Sequence, residues 1–354
     1  MGLGYDYSEE RQLDVDSIGW LSGLSQLEHL NMKHVNLGKA SNYWQWQQVI
    51  DHHSPFFAIL DLAGNNLMDT TAKWISQLSN LMYLDLSNNN FNSIPDWLYS
   101  LKGLQFLDMR NNNLQGSLSN DIANLTSLNT LDLSWNHLSG EIPRGITANL
   151  CKMQKLYFSR NNFQGDLSYS FGNMSECFLG SLEYLDLSDN QLYGQLTAQF
   201  GEFKSLQTID LGFNNLSGAI PINIGKLSSL ETLLLADNKL SGNLPESLGQ
   251  LSNLEYIKIE DNKLEGVVSE IHFANLTKLM YLYASGNHLT LKVSTNWIPP
   301  FEIAELTLGS WDLGEGGQIP TWIEKQKLNI DKLDLSGTGI SGIVPSWIWK
   351  IDYL

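Results

Sequence analysis

The sequence has few of the features on which several protein classes depend. Only two of its 354 residues are cysteine, and 21 basic residues stand against 38 acidic ones, which gives a net charge of −17. Such an acidic surface favours solubility and repels the phosphate backbone, so we expect no nucleic-acid partner. No run of roughly 18 apolar residues is present, so no transmembrane helix is predicted in this chain.

Targeting and catalytic motifs are also missing. Residues 1–13 lack a basic segment followed by an apolar one, so no signal peptide is expected within this chain. The sequence contains no G-x-S-x-G, no H-E-x-x-H and no G-x-x-x-x-G-K-S/T pattern. We therefore expect a protein that is not an enzyme and that uses no metal and no cofactor.

The sequence is rich instead in a repeated leucine pattern, L-x-x-L-x-L-x-x-N-x-L. Thirteen copies follow one another, most of them at steps of 23 or 24 residues, which is the period and consensus of the leucine-rich repeat. The copies start at Leu27, Phe57, Leu81, Leu104, Leu128, Met153, Leu182, Leu206, Leu230, Leu254, Leu279, Ile303 and Ile330.

The spacing within one copy predicts a coil with one short strand. Positions 4 and 6 alternate inward on that strand, and positions 1 and 11 turn inward on either side of it. A single coil cannot bury these residues, whereas stacked coils share a continuous core and pair their strands in parallel. The predicted fold is therefore an α/β solenoid with one parallel β-sheet.

A second element, S-G-x-I-P, follows several of the copies, as at Ser139–Pro143 and Ser217–Pro221. It combines a glycine turn, a short extended piece and a proline that begins a helical turn. The element resembles the plant-type class of leucine-rich repeats. That resemblance implies a right-handed superhelix with the main sheet on the concave side, and a second short sheet and short 3-10 or α helices on the convex side.

No linker interrupts the repeats, so we expect a single domain over residues 1–354. It has about thirteen repeats, with irregular insertions near 38–56, 169–181 and 309–329; residues 39–53 of the first are expected to form a helix. Both ends fall inside the pattern without a capping segment. We therefore expect a fragment of a longer ectodomain, or a truncated gene product.

An asparagine stands at position 9, where the chain turns inward after the strand. A buried amide offers two donors and one acceptor, so stacked asparagines can satisfy the turns of adjacent coils. The pattern breaks at Val35, Trp311 and Thr338, so we expect less regular end coils. The predicted structural ladder is Asn65, Asn89, Asn112, Asn136, Asn161, Asn190, Asn214, Asn238, Asn262 and Asn287.

Cys151 and Cys177 lie just before the strands of successive coils, which suits a disulfide; the alternative is two separate buried thiols. Four N-x-S/T sequons are present, and together with a disulfide they favour a secretory route. The expected N-glycosylation sites are Asn124, Asn173, Asn215 and Asn275.

Ligand-binding candidates are the strand positions that face outward. Most are small or polar, but some are aromatic or basic, the types that anchor interfaces. The alternative is that these side chains merely pack against their neighbours. The expected ligand-binding residues on the concave face are Trp135, Lys155, Tyr157, Arg160, Tyr184, Phe213, Tyr256 and Tyr281.

Three segments resemble plant leucine-rich-repeat receptor-like proteins of the disease-resistance and xylanase-elicitor-receptor type. They are 20–24 (W-L-S-G-L), 291–301 (L-K-V-S followed by W-I-P-P-F) and 308–313 (L-G-S-W-D-L). The resemblance implies an extracellular array that senses a microbial elicitor or peptide and signals through partner receptor kinases. It also implies a full-length protein at the plasma membrane, anchored through a segment absent from this chain.

Two other functions remain open. A secreted inhibitor of a microbial cell-wall-degrading enzyme would use the same repeat, but that type carries cysteine pairs at its ends, and neither cysteine lies there. The third interpretation is a truncated gene product without function. In the first two cases the partner is a protein or a peptide.

Overall fold

Within each of its two compact units, this computed structural model has one three-residue main strand per coil, paired in parallel with the strand of the next coil of that unit. The structure describes residues 13–24, 26–37, 46, 57–69, 72–314, 318–326 and 328–348. These described residues form two compact units, one lying within 1–116 and 124–137 and the other within 117–123 and 138–354.

The strands of the first unit pair in sequence order. Leu30 lies opposite Leu60, and Leu60 opposite Leu84, so equivalent leucines stack from coil to coil. The pair Leu13–Asp14 and Val35–Asn36 forms a separate parallel ladder. The main strands are His29–Asn31, Ile59–Asp61, Tyr83–Asp85, Phe106–Asp108 and Thr130–Asp132, and the 3-10 helices are Gly19–Gly23, Lys73–Gln77 and Asp96–Ser100.

The second unit repeats this arrangement and adds a second parallel sheet after the glycine turns. Its main strands are Lys155–Tyr157, Tyr184–Asp186, Thr208–Asp210, Thr232–Leu234, Tyr256–Lys258, Tyr281–Tyr283, Glu305–Thr307 and Lys332–Asp334. The second sheet contains Asn162–Asp166, Gln191–Gln195, Asn215–Gly218, Lys239–Asn243, Lys263–Val268 and His288–Leu291.

Short helices connect the two sheets in the second unit. Its 3-10 helices are Ala198–Glu202, Ile222–Lys226, Glu246–Gln250 and Glu270–Phe273, and its α-helices are Arg144–Asn149, Leu167–Phe171, Glu176–Ser181 and Thr321–Lys325. Where the chain passes between the units, strands Gln115–Ser117 and His137–Gly140 and the 3-10 helix Asn120–Asn124 occur. The predicted α/β solenoid of parallel strands and short helices is confirmed, including the second short sheet.

The core consists of the repeated apolar positions. In the coil that starts at Leu206, this residue, Ile209, Leu211 and Leu216 are each at most 1% exposed. Burying one such side chain contributes roughly 1.5–3 kcal/mol, so stacked coils stabilise one another although no single coil has a core.

The asparagines at position 9 connect neighbouring coils. Asn214 donates to the carbonyl oxygens of Leu187, Leu211 and Gly212 at 3.0 to 3.2 Å, and its Oδ1 accepts from the Leu192 N–H at 3.0 Å. All ten predicted ladder asparagines are at most 9% exposed. Each therefore satisfies turn groups that the strands leave unpaired.

Other side chains take over part of this role where the asparagine is missing. The indole N–H of Trp311 donates to the carbonyl oxygen of Ala284 in the preceding coil at 2.8 Å. Thr338 Oγ1 donates to the carbonyl oxygen of Leu335 in its own coil at 2.8 Å. The change of residue type therefore does not remove the hydrogen bonding at these two turns.

The predicted insertions differ in content. The helix expected over 39–53 lies outside the described residues apart from Trp46, whose ring stacks on Trp74 with centroids 3.8 Å apart. The insertion near 169–181 contains the end of helix Leu167–Phe171 and the whole of Glu176–Ser181. The insertion near 309–329 contains helix Thr321–Lys325, whose Trp322 is 4% exposed.

Candidate functional site

The outward positions of the main strands form a half-buried surface, which we call the strand face. In strands Lys155–Tyr157, Tyr184–Asp186, Tyr256–Lys258 and Tyr281–Tyr283, the central residue is buried and both flanking residues are half-buried. This alternation follows from the period of two in a strand. Half-buried aromatic and basic side chains therefore line the sheet without belonging to its core.

One cluster on the strand face is built around Lys155 and Tyr184. The two residues are direct neighbours across the paired strands, and Lys155 Nζ lies 5.0 Å from the centroid of the Tyr184 ring. The Tyr184 hydroxyl donates to Gln207 Oε1 at 2.8 Å. Tyr157 lies on the same strand as Lys155, opposite Asp186. The structure thus brings three of the predicted binding residues together.

A second cluster contains three tyrosines. The ring centroid of Tyr256 is 5.3 Å from that of Tyr281 and 5.2 Å from that of Tyr283. The Tyr283 hydroxyl donates to Glu305 Oε2 at 2.7 Å. Burial, followed by this hydrogen bond to Glu305, raises the pKa of Tyr283, and burial also raises that of Tyr256. Both hydroxyls therefore stay protonated, and that of Tyr283 donates to Glu305.

Basic side chains border this tyrosine cluster. Lys332 Nζ lies 5.1 Å from the Tyr283 ring centroid and 3.9 Å from Glu305 Oε2. Lys258 Nζ lies 5.8 Å from the ring centroid of Phe213 and 4.0 Å from Glu260 Oε2. Lys258 therefore reaches from a strand of the tyrosine cluster to Phe213, a predicted binding residue two coils away.

Sequence reasoning missed Tyr283, Lys258 and Glu305. Their signal was nonetheless present, because Tyr283 and Lys258 stand at position 5 of their copies, as Tyr157 does, and Glu305 stands at position 3, as Tyr184 does. The criterion of exposed aromatic or basic residues at position 3 or 5 would have selected two of the three. Glu305 is acidic and needs the observed contacts to be recognised.

The two clusters do not touch, because two strands without large aromatic residues separate them. Strand Thr208–Asp210 pairs with Tyr184–Asp186, and strand Thr232–Leu234 pairs with Tyr256–Lys258. Burial, with the neighbouring Asp186, raises the pKa of Asp210 to about 6 against the opposing hydrogen bond from Gly212. The middle of the strand face therefore carries the Asp210 carboxyl and is less bulky than its two sides.

Position 8, directly after each strand face, has the same backbone conformation in all thirteen coils. Its φ is between +50° and +73°, the left-handed region. Eight of the thirteen residues are glycine, asparagine or aspartate, which tolerate this conformation. The five others are His34, Trp135, Arg160, Phe213 and Ser310.

Three predicted binding residues occupy this turn. Arg160 and Phe213 belong to the second unit and Trp135 to the first. Trp135 is 53% exposed, Phe213 is 51% exposed, and the Arg160 side chain is 52% exposed. Arg160 Nε lies 3.7 Å from Asp189 Oδ2, the position-8 residue of the next coil. These side chains are thus presented to solvent from the edge of the strand face.

The disulfide and the sequons lie away from the strand face. The structure joins Cys151 and Cys177, whose Cα atoms are 4.8 Å apart, so helix Glu176–Ser181 is linked to the second residue after helix Arg144–Asn149. The four sequon asparagines are all exposed: Asn124, Asn173, Asn215 and Asn275. Glycans at these positions would meet no buried surface.

The described residues contain neither a metal-binding cluster nor a membrane-spanning helix. In the ranges that the structure describes, no group of three or more histidine, cysteine or acidic side chains is arranged to hold a metal ion. Within those same ranges, no helix has both the length and the apolar character needed to cross a membrane.

Comparisons with known proteins find the same repeat. A family model described as Leucine rich repeat matches residues 58–114, 180–240 and 228–289. A second model, described as Leucine Rich Repeat, matches residues 127–149, 152–174 and 329–351.

Curated relatives are plant receptor-like proteins. The chain is 41% identical over 80 residues to receptor-like protein EIX1 of Solanum lycopersicum, a match that covers 23% of this chain and 8% of EIX1. It is 37% identical over 154 residues to receptor-like protein 35 of Arabidopsis thaliana, covering 42% of this chain and 16% of that protein. The matches therefore span less than a fifth of the length of these relatives.

A solved structure with a similar fold is the ectodomain of the Arabidopsis receptor kinase HAESA, in complex with an N-terminal extended IDA peptide hormone. Its TM-score is 0.80 at 27% identity, covering 97% of this chain and 55% of the HAESA chain. HAESA has also been solved with the peptide hormone IDA and the co-receptor SERK1, where the TM-score is 0.74 at 26% identity and the match covers 94% of this chain and 61% of that one.

Proposed function

Since the chain belongs to the leucine-rich-repeat family and its curated relatives are plant receptor-like proteins, we propose that it recognises an extracellular peptide or microbial elicitor on its strand face. It acts by binding rather than by catalysis. In the full-length protein it lies on the outer side of the plasma membrane and signals through partner receptor kinases.

The observation that carries this proposal is the concentration of half-buried aromatic and basic side chains on one surface. Lys155 with Tyr184, and Tyr256 with Tyr281, are direct strand neighbours. The conformations of these rings are already restricted before a ligand arrives. Binding therefore uses a large aromatic contact area with little further loss of side-chain conformational entropy. Tyrosine adds a hydroxyl that can meet a peptide backbone.

The acidic part of the strand face argues for a ligand of mixed character. Asp210 lies between the two clusters, opposite Asp186 at the border of the first, and a uniformly acidic ligand would be repelled there. A ligand that places apolar groups on the rings and polar groups on the carboxylates and hydroxyls fits this surface. A peptide offers both within a few residues, because its side chains alternate along an extended backbone.

Selection from a displayed library of random twelve-residue peptides, against the secreted chain, tests the proposal. Peptides enriched on the parent should lose about 30-fold or more in affinity when a true anchor, Tyr184 or Tyr281, is replaced by alanine. Ile222→Ala is the matched control, because Ile222 is 71% exposed and lies on the 3-10 helix Ile222–Lys226. Thermal melting of each variant separates loss of binding from loss of folding.

Two results would contradict the proposal. Equal affinity of enriched peptides for the parent and for the Tyr184 and Tyr281 variants would place recognition elsewhere. An Ile222 variant that loses as much affinity as the strand-face variants, while melting at the parent temperature, would also contradict the proposal.

A further inference from the structure

Arg160 and Phe213 combine two features that folding alone does not explain. Both have a left-handed backbone, with φ of +53° and +54°, a conformation that disfavours residues with a large side chain. Both side chains are about half exposed. The free energy gained by burying the rest of each side chain therefore offsets only part of the free-energy cost of the left-handed backbone. Trp135 shows the same combination in the first unit, with φ of +56° and 53% exposure.

Neighbouring coils show what the fold itself favours at this turn. Asn88 and Asn111 fill position 8 in the first unit, and Asp189, Asp237 and Asp261 fill it in the second. These residues adopt the left-handed region readily because their short polar side chains bond locally. Large side chains at the same turn therefore call for a reason other than stability.

We propose that Arg160 and Phe213 determine specificity for one extended peptide: Arg160 binds an acidic side chain of the peptide, and Phe213 binds a large apolar one. Both residues are retained although they lower the stability of the fold. This inference rests on the proposed function and adds the class of peptide.

The chemistry of each residue supports its assignment. The guanidinium of Arg160 faces Asp189 at 3.7 Å, and because both side chains are more than half exposed, this pair contributes little in water. A planar guanidinium can hold an additional carboxylate through paired N–H donors. The ring of Phe213 is half exposed, and Lys258 approaches it from the coil that starts at Leu254.

The spacing of the coils sets the spacing in the peptide. Arg160 and Phe213 are two coils apart, which at about 4.8 Å per strand corresponds to about 10 Å. An extended chain covers this distance in about three residues at 3.3 Å each. The acidic and the apolar residue should therefore be three positions apart, in either chain direction.

Thermal melting tests the stability part without any ligand. Phe213→Asn and Arg160→Asn place at the turn a residue that the fold uses in other coils, so Tm should rise by about 2–4 °C in each. Phe213→Ala is the matched control, because it removes the ring but keeps a residue poorly suited to the left-handed region; it should melt below Phe213→Asn. If Phe213→Asn or Arg160→Asn melts at or below the parent temperature, the side chain stabilises the fold and the inference fails.

Synthetic peptides test the recognition part. The probes are twelve-residue peptides of glycine and serine carrying one aspartate and one leucine, either three positions apart or at altered spacings. The parent should bind the expected spacing about tenfold more tightly than the altered spacings. Arg160→Asn should abolish the benefit of the aspartate, and Phe213→Asn that of the leucine. Absence of binding, a lack of spacing preference, or unchanged preferences in the variants would overturn the inference.

The inference and the proposed function fail in different ways. Library-selected peptides that lose affinity on Tyr184→Ala or Tyr281→Ala but ignore Arg160→Asn and Phe213→Asn would leave the function standing and reject the inference. Selected peptides that ignore all four substitutions would reject both.

Discussion

The indole N–H of Trp311 donates to the carbonyl oxygen of Ala284 at 2.8 Å, the cross-coil bond that asparagine makes in the regular coils. Asn287 makes the corresponding bond to Ile259, also at 2.8 Å. Two unrelated side chains therefore meet one requirement of the turn, a donor aimed at the preceding coil. The requirement belongs to the backbone rather than to asparagine as such.

Trp311→Phe should lower the free energy of unfolding by about 1–3 kcal/mol, because it keeps an aromatic ring and leaves a buried carbonyl without this donor. Urea denaturation measures the change. Trp20→Phe is the control, since Trp20 is 58% exposed. Equal midpoints for the Trp311 variant and the parent would show that the bond does not contribute.

Asn214→Ala should lower the free energy of unfolding by a similar amount, about 1–3 kcal/mol, because it removes a buried amide with four hydrogen bonds. Asn136→Ala should behave alike, since Asn136 makes the equivalent bonds in the first unit. Asn223→Ala is the control, as its side-chain bond is exposed. An unchanged melting temperature for both ladder variants would contradict the ladder's role.

Much of this framework could be predicted from the sequence because the repeat specifies it many times over. The strands follow from leucines at positions 4 and 6, as at Leu131 and Leu133, and the ladder from Asn136 and its equivalents. Trp311 shows where the pattern is insufficient. A break in the consensus predicts a lost bond, whereas the three-dimensional turn accepts any donor that reaches the same carbonyl.

The disulfide remains a prediction for the secreted protein. Non-reducing peptide mapping should recover the peptides of Cys151 and Cys177 joined, since their Cα atoms are 4.8 Å apart. Closing a loop between residues 26 apart should contribute about 3 kcal/mol, so Cys151→Ser with Cys177→Ser should lower Tm. Free thiols at both positions in secreted material would contradict the pairing.

Stability should fall as pH rises through the titration of Asp108. Burial, followed by the charge of Asp132, raises the pKa of Asp108 to about 7, above the value of about 3.9 in an unfolded chain. The folded state therefore holds the proton more tightly, and this contribution is present below pH 4 and is lost as pH rises to about 7.

Asp108→Asn tests this pH dependence, because the amide Oδ1 can still accept the hydrogen bond from the Arg110 N–H. The variant should gain stability relative to the parent progressively between about pH 4 and pH 7, as urea denaturation at several pH values would show. Exposed Asp331 provides the control through Asp331→Asn. A difference between Asp108→Asn and the parent that does not change with pH would contradict the assignment.

The strand face was less predictable than the framework. Sequence position could place Lys155 and Tyr184 on one surface, because strand residues alternate. It could not show that Tyr283 bonds Glu305, or that Lys258 reaches Phe213, since these contacts depend on side-chain direction across coils. The left-handed turn under Phe213 was hidden for another reason: a phenylalanine gives no local signal for that conformation.

Photo-crosslinking tests most directly whether ligands bind on the strand face. A benzophenone amino acid at Thr208, whose strand lies between those of Tyr184 and Thr232, should crosslink a peptide enriched from the random library. The same group at Asn223, on the 3-10 helix Ile222–Lys226, should not. Crosslinking at position 208 that excess unlabelled peptide abolishes is the predicted result. Crosslinking at position 223 with none at position 208 would contradict recognition on the strand face.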